Sequence, residues 1–196
     1  MAIDTQAITK LRQATGAGIV DVKKALEEAN GDEQKAVEIL RKKGASKAAK
    51  KLAERTTGEG LVHSYIHSNG KVGTLIQIQC ETDFVARNAD FQTLAHDIAL
   101  HIAAAHPLYI KPEDVPAAEL EKEKEIYREQ LKVENKPAQM IEKILEGKIE
   151  KYYADVCLLK QTFVKDDSLT IEKLIESAIA KLGEKIEVVK FSRFQI

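Results

Sequence analysis

The stretch Cys80-Glu81-Thr82-Asp83-Phe84-Val85-Ala86-Arg87-Asn88 joins two segments of different periodicity. Before it, Val72 to Cys80 alternates in the β-branched manner of a strand; after it, Phe91 to Ala105 repeats apolar residues at helical spacing. A connection of this kind runs over the surface and is ordinarily polar. This one carries Phe84 and Val85 side by side, between Asp83 and Arg87. The residues alone leave two readings of Phe84 open. Either its ring tucks under the following helix as a staple residue does, which is the usual fate of phenylalanine, or it is an apolar wedge presented to a partner.

Working outward, Leu61 to Ile66 and Val72 to Ile78 read as two strands, and the Asn-Gly within Ser68-Asn69-Gly70-Lys71 predicts a hairpin between them. Downstream, Phe91, Leu94, Ala95, Ile98 and Ile102 form a helical stripe that ends near His106-Pro107. A charged helical pair follows. The first member, about 117–133, has sparse apolar residues (Leu120, Ile126, Tyr127, Leu131) and should pack on the second by one thin seam. The second begins at Pro137, a residue suited to the first helical position, and carries Met140, Ile144, Leu145, Ile149, Tyr152 and Val156. Gln161 to Asp167 reads as a loop that displays Phe163. A last helix bears Ile171, Leu174, Ile175, Ala178, Ile179 and Leu182 and stops at Gly183. Lys185 to Ile196 reads as a strand with apolar groups at even positions (Ile186, Val188, Phe194, Ile196) and at odd ones (Val189, Phe191). A strand buried on one side alternates more cleanly, so the second face is expected to pack on something, such as another copy of the chain.

Upstream of the hairpin, about Asp4 to Lys43 reads as three short helices. Asp4 or Thr5 caps the first, Thr15-Gly16-Ala17-Gly18 breaks it, and Ile19, Val22, Leu26 and Ala29 stripe the second. Asn30-Gly31-Asp32 stops the second and caps the third, which Gly44 is expected to end. The core of so small a unit is thin, which makes Ile19 and Val20 candidate contact residues. Ala45 to Arg55 reads as a solvated helical linker, and Thr56-Thr57-Gly58-Glu59-Gly60 as a boundary. The expected division is a three-helix module over 1–44, a linker over 45–57, and an α+β core over 58–196: a three-stranded antiparallel sheet packed on helices, with a protruding helical hairpin at about 117–156.

Composition limits function. Thirty Lys and Arg against 31 Asp and Glu leave a formal net charge of -1, without the basic excess that phosphate binding needs. No direct nucleic-acid partner is therefore expected. Two distant cysteines, Cys80 and Cys157, exclude a disulfide framework. No apolar run reaches a membrane span, and Met-Ala-Ile-Asp-Thr lacks the character of a targeting segment; a cytoplasmic protein is expected. There is no phosphate-binding Gly-x-x-x-x-Gly-Lys-Ser/Thr loop. His63 and His67 stand four apart in a strand, about 13 Å at about 3.3 Å per residue. His96, His101 and His106 step by five, about 140° of rotation at each step on a helix. Neither set makes a metal site, no carboxylate pair has an acid–base partner, and nothing resembles a nucleophile elbow. A non-enzyme without a cofactor is expected.

Two separated motifs carry a resemblance. One runs from Leu11 to Leu26 (Leu-Arg-Gln-Ala-Thr-Gly-Ala-Gly-Ile-Val-Asp-Val-Lys-Lys-Ala-Leu) and is followed by Ala29-Asn30-Gly31-Asp32; the other is Cys80 to Arg87. In this order they resemble the bacterial translation elongation factor Ts family, nucleotide-exchange factors of elongation factor Tu. The likeness extends over nearly the whole chain, including Asn-Lys-Pro at Pro137 and Phe163-Val164, and departs from the family's common Glu and Asn at Gln77 and Gln79. With one hairpin-plus-helix unit, the chain resembles the family's compact form, which works as a dimer. The resemblance implies a ubiquitin-associated-like N-terminal module that docks on elongation factor Tu, GDP-bound or nucleotide-free, through Arg12, Ile19, Val20 and Lys23. It also implies that Thr82, Asp83, Phe84 and Val85 insert near the partner's magnesium and phosphate site, with Phe84 as the wedge and Asp83 fixing its approach.

Two further classes have some support in the residues. The basic run Arg41-Lys42-Lys43 with Lys47, Lys50 and Lys51 suits a ribosome- or RNA-associated module, although no stacking aromatic accompanies it. The N-terminal helices alone would suit a ubiquitin-type adaptor.

Overall fold

The computed structural model describes residues 5–134 and 137–196, with residues 138 and 139 as backbone only. Three helices open the chain: α1 (Thr5–Thr15), α2 (Ile19–Glu28) and α3 (Glu33–Glu54). Gly16 takes φ 66, a left-handed conformation that glycine adopts without strain, and the chain restarts as α2 from an extended Gly18. Between α2 and α3 the turn passes through positive φ at Asn30 and Gly31. Asp32 then accepts the N–H groups of Gln34 and Lys35 at 3.0 and 3.1 Å, capping α3. Leu11, Val22, Ala25, Leu26, Ala29, Ala36 and Leu40 form the buried cluster among these helices. Asp4, one of the two expected caps of α1, lies outside the described residues; Thr5 is the first described residue and is helical.

Gly44 does not end the third helix. α3 runs through it as one 22-residue helix and absorbs most of the expected linker. One interior glycine costs about 1 kcal/mol relative to alanine, and the Ala-, Lys- and Leu-rich runs on both sides outweigh it. Packing helps: a Cβ on Gly44 would sit 3.5 Å from Ala180 Cβ, and Ala48, one turn on, is buried.

The sheet contains β1 (Glu59–Ile66), β2 (Val72–Cys80) and β5 (Glu187–Gln195), in the order β1-β2-β5. Thr74, Ile76, Ile78 and Cys80 of β2 are buried, every second residue, as one face of a pleated strand requires. Gly60 has φ 150, and a Cβ there would collide with the Ile78 carbonyl oxygen and stand 2.7 Å from Gln79 Cα. At this position β1 approaches β2 closely enough that only glycine fits. A single helical turn, α4 (Asp83–Ala86), precedes α5 (Ala89–Ala105), in which the expected stripe from Phe91 to Ile102 is buried.

The charged hairpin consists of α6 (Ala117–Val133) and α7 (Ala138–Val156). Leu131 is the buried residue of α6, consistent with one thin seam. Pro137 lies one residue ahead of α7, with ψ 135, rather than at its first helical position.

Gln161 to Asp167 is not an open loop, and Phe163 is not displayed. β3 (Thr162–Phe163) pairs antiparallel with β4 (Asp166–Thr170), and the Phe163 ring is buried 6.2 Å from the ring of His101. His101 explains the arrangement. Its Nδ1 accepts the Val164 N–H at 3.3 Å, and its Nε2 bonds Gln161 Oε1 at 3.0 Å. Burial pushes the imidazole below its ordinary pKa, so it serves as a neutral crosspiece behind the short hairpin. α8 (Ile171–Leu182) follows and ends at Gly183 with φ 82. Along β5 and its flanking residues the even positions are not equally buried. Ile186 and Val188 are buried, whereas Phe194 and Ile196 are exposed together with Val189. Burial falls off towards the end of the strand, which periodicity alone cannot show.

By contacts, two compact units divide the described chain. One holds the residues up to His63 with Ile76–His96 and Lys173–Val189; the other holds Ser64–Leu75, the described part of Asp97–Glu172, and Lys190–Ile196.

Two glycines should respond in opposite directions. Gly60→Ala is expected to destabilise by on the order of 3 kcal/mol, because φ and the β2 backbone both oppose a side chain. Gly147→Ala, inside α7 with open space around its Cβ, should stabilise by about 1 kcal/mol. Urea unfolding of the two variants checks both signs.

Candidate partner-binding site

When the chain leaves β2, its amides lose the sheet ladder as a source of acceptors. Thr82, extended at φ -128, becomes the N-cap of α4, and its Oγ1 accepts the Val85 N–H at 3.4 Å. Ala86 N donates to Thr82 O at 3.2 Å and Arg87 N to Asp83 O at 3.0 Å, closing one helical turn. Asn88 Oδ1 accepts the Asp90 N–H at 2.8 Å and starts α5. Successive helical residues are rotated by about 100°, so a turn that buries Ala86 directs Phe84 to the opposite side. Phe84 is 83% exposed and Ala86 9%. The ring therefore does not tuck under α5; it stands on the surface at the middle of a capped turn.

Glu184, just beyond α8, holds the base of this turn. Its Oε2 accepts the N–H groups of Glu81 and Thr82 at 3.1 and 3.0 Å, and its Oε1 accepts the Thr82 hydroxyl at 2.6 Å. With its proton committed to Glu184, the Thr82 oxygen keeps a lone pair for Val85. Glu81 is held from the other side. Its carboxylate accepts Arg55 Nη1 at 3.0 and 3.1 Å and the Lys185 N–H at 2.6 Å, and Lys185 Nζ reaches Arg55 O at 3.1 Å. Burial alone would raise the Glu81 pKa, but the Lys185 amide and the Arg55 guanidinium outweigh it and hold the carboxyl below its ordinary value. Asp83 pairs with Arg87 at 3.0 Å on open surface, a geometry that contributes little. Cys80 is buried, its thiol donating to Thr82 O at 3.2 Å; burial and the Glu184 charge push its pKa up to about 11. It packs the turn and is a poor nucleophile.

The other candidate residues lie on α1 and α2. Ile19 and Val20 occupy the first turn of α2 and are 57% and 62% exposed, beyond the buried Val22. Arg12 and Lys23 are exposed. Ile19 thus stands outside the apolar stripe to which its spacing assigned it. Lys181 of α8 covers the α1–α2 turn, where a Cβ on Gly16 would lie 3.1 Å from Lys181 Cγ, and its Nζ pairs with Asp90 at 2.8 Å.

Sequence reasoning missed Glu184, Arg55, Lys185 and the role of Glu81. Charged residues in turns read as solvated, and Glu184 stands 102 positions from Thr82. It also missed that His63 Nε2 lies 3.3 Å from His96 Nδ1, a contact between strand and helix. Burial first, and the neighbouring His96 second, depress the His63 pKa. Among the described residues, no group of three or more His, Cys, Asp or Glu is placed to hold a metal ion, and no helix is long and apolar enough to cross a membrane.

Fold and site together define an α+β protein that offers apolar side chains on helix starts. Comparison with known proteins adds the family. The model described as Elongation factor TS matches residues 5–196. Over 196 residues the chain is 59% identical to Elongation factor Ts of Fervidobacterium nodosum, covering 100% of this chain and 99% of the relative. It is 56% identical to that of Thermotoga petrophila, at 100% and 97% coverage. To that of Thermosipho melanesiensis it is 53% identical over 194 residues, at 99% and 98% coverage. The chain belongs to the elongation factor Ts family.

The pKa of Glu81 yields a pH prediction. A carboxyl held below its ordinary value of 4.5 stabilises the fold above that pH, and the stabilisation disappears as pH falls through the lower folded value. In urea titrations from neutral pH downward, Glu81→Gln should be less stable than the parent near neutrality. The difference should shrink steadily below about pH 4.5.

Proposed function

We propose that the chain is a guanine-nucleotide exchange factor that binds elongation factor Tu, GDP-bound or nucleotide-free, and promotes GDP release. Phe84 is the wedge, aimed near the partner's magnesium and phosphate site from the Thr82–Val85 turn. The observation that carries this reading is the exposed Phe84 ring, held out by a capped turn whose base is fixed. The module over 1–44 docks on the partner through Ile19 and Val20, with Arg12 and Lys23 beside them; residues 45–57 link it to the core over 58–196. The exposed Phe194 and Ile196 of the terminal strand are where a second copy of the chain packs.

Exchange follows from linkage. A factor that binds the empty partner more tightly than the loaded one weakens the nucleotide by the same ratio. A ring that enters only when the magnesium ligands have moved apart provides that difference. Losing the cation removes the largest local charge holding the diphosphate. No bond is made or broken, so the site needs neither acid, base nor nucleophile.

Release of fluorescent GDP from purified elongation factor Tu tests this reading. Phe84→Ala should lower the maximal release rate by roughly thirtyfold, about 2 kcal/mol for a truncated hot spot, with unchanged thermal unfolding because the ring is exposed. Normal release by folded Phe84→Ala would refute the wedge. Combined Ile19→Ser and Val20→Ser should instead raise the half-saturating concentration by about tenfold, about 1.4 kcal/mol, at an unchanged maximal rate.

A further inference from the structure

We infer that Glu184 is a positioning residue for exchange: it fixes the direction in which the Phe84 turn projects relative to the docking helices. The inference rests on the exchange reading above.

All the groups concerned belong to one compact unit. Glu184 follows the glycine stop of α8 and is only half-buried, yet both its oxygens are committed to the start of the wedge turn, one to two backbone amides and the other to the Thr82 hydroxyl. Thr82 in turn caps α4 through Val85. Removing the carboxylate leaves α4 its own backbone bonds and cap, so the turn can still form. What is lost is its attachment to α8.

The end of α8 also meets the N-terminal helices. Ala180 lies against Gly44 of α3, and Lys181 lies over Gly16 between α1 and α2. Lys181 also pairs with Asp90, at the start of the helix that follows the wedge. From the opposite side, Arg55, the C-cap of α3, grips Glu81 immediately before Thr82. The short run from Ala180 to Lys185 therefore touches α3 and the turn that leads into α2, the helix that carries Ile19 and Val20, and also the turn that carries Phe84. A partner that has docked on the first surface meets the second at an effective concentration set by how firmly the two are held together. A wedge displaced by about 1 Å loses much of its rate even when docking is intact. Loosening Glu184 should therefore reduce the maximal rate and leave the half-saturating concentration alone. A merely structural residue would not produce that split.

The test is a double-mutant cycle between Glu184→Ala and Phe84→Ala in the GDP-release assay, with the intact chain and purified elongation factor Tu. Glu184→Ala alone should lower the maximal rate about tenfold, with less than about a twofold change in half-saturating concentration. In the Phe84→Ala background it should add less than about twofold, because no ring remains to be aimed. Hydrogen exchange at the Glu81 and Thr82 amides should quicken in Glu184→Ala. Should that variant fold poorly, Glu184→Gln, which keeps a carbonyl acceptor for the two amides, carries the same cycle with a smaller loss. If Glu184→Ala exchanges normally while Phe84→Ala is slow, the positioning role is overturned and the wedge stands. Equal losses in both backgrounds overturn it as well, since Glu184 then acts on something other than the ring. If Phe84→Ala alone exchanges normally, the wedge reading and the positioning role fail together, and that single variant tells this case from the others.

Discussion

At the end of β2 the chain needs acceptors for two amide groups that have left the sheet. A half-buried N–H without a partner costs about 1–3 kcal/mol, and the Glu81 and Thr82 amides would both bear that cost where the chain turns from strand to helix. Glu184 meets both with one oxygen and takes the Thr82 hydroxyl with the other. Bonds to an ionised acceptor are about twice as strong as neutral ones. The turn that carries Phe84 is therefore defined from outside itself, by a side chain brought in from the far end of another helix. Without that carboxylate, the cap on α4 would remain but its orientation would be set only by four residues of backbone.

This dependence gives α8 a part that its length does not suggest. Its apolar face, Ile171, Ile175 and Ile179, is buried like that of any amphipathic helix. Its last turn and the residues after it do something different. Ala180 and Lys181 are small or flexible enough to let α3 and the α1–α2 turn approach through their glycines, and Glu184 and Lys185 hold Thr82 and Glu81. The small N-terminal core, seven buried residues of which three are alanine, would be marginal alone. Contacts at Gly16 and Gly44 give it a second support.

The fold was largely legible because its signals are local. Asn-Gly at the hairpin, Asp32 as a cap, and the stripe along α5 each act within a few residues, where spacing determines geometry. Failures occurred where a distant or compensating effect decided the outcome. Gly44 is a poor helix residue, but its neighbours and Ala180 override it. Phe163 sits in strands too short to show alternation, and its burial depends on His101, sixty-odd positions earlier in the chain. Burial fades along β5 and leaves Phe194 and Ile196 outside although their spacing matches Ile186 and Val188. At the site, the sequence alone left Phe84 open between two fates. A one-turn helix resolves them once Ala86 is known to face inward, but burial of Ala86 is itself a tertiary fact. The clamp of Glu184, Arg55 and Lys185 was invisible for the same reason: pairings across 26 to 130 positions leave no periodic trace.

Phe84 also bears on why the turn needs so firm a base. Burying a phenylalanine is worth about 1.5–3 kcal/mol, and a flexible turn of this composition would gain that energy by folding the ring back against α5. Holding the ring in water requires the intramolecular alternative to be less favourable than the extended one. Three bonds to one carboxylate, a cap, and a buried alanine on the opposite side of the turn meet that requirement together. On the exchange reading, the apolar energy not used in folding is then available to the partner, and is released only when the partner opens a pocket for it. Rigidity at the base and exposure at the tip are thus two aspects of one constraint. A looser base would let the ring fold back on its own protein, and on the exchange reading a buried ring would leave nothing to distinguish the empty partner from the loaded one.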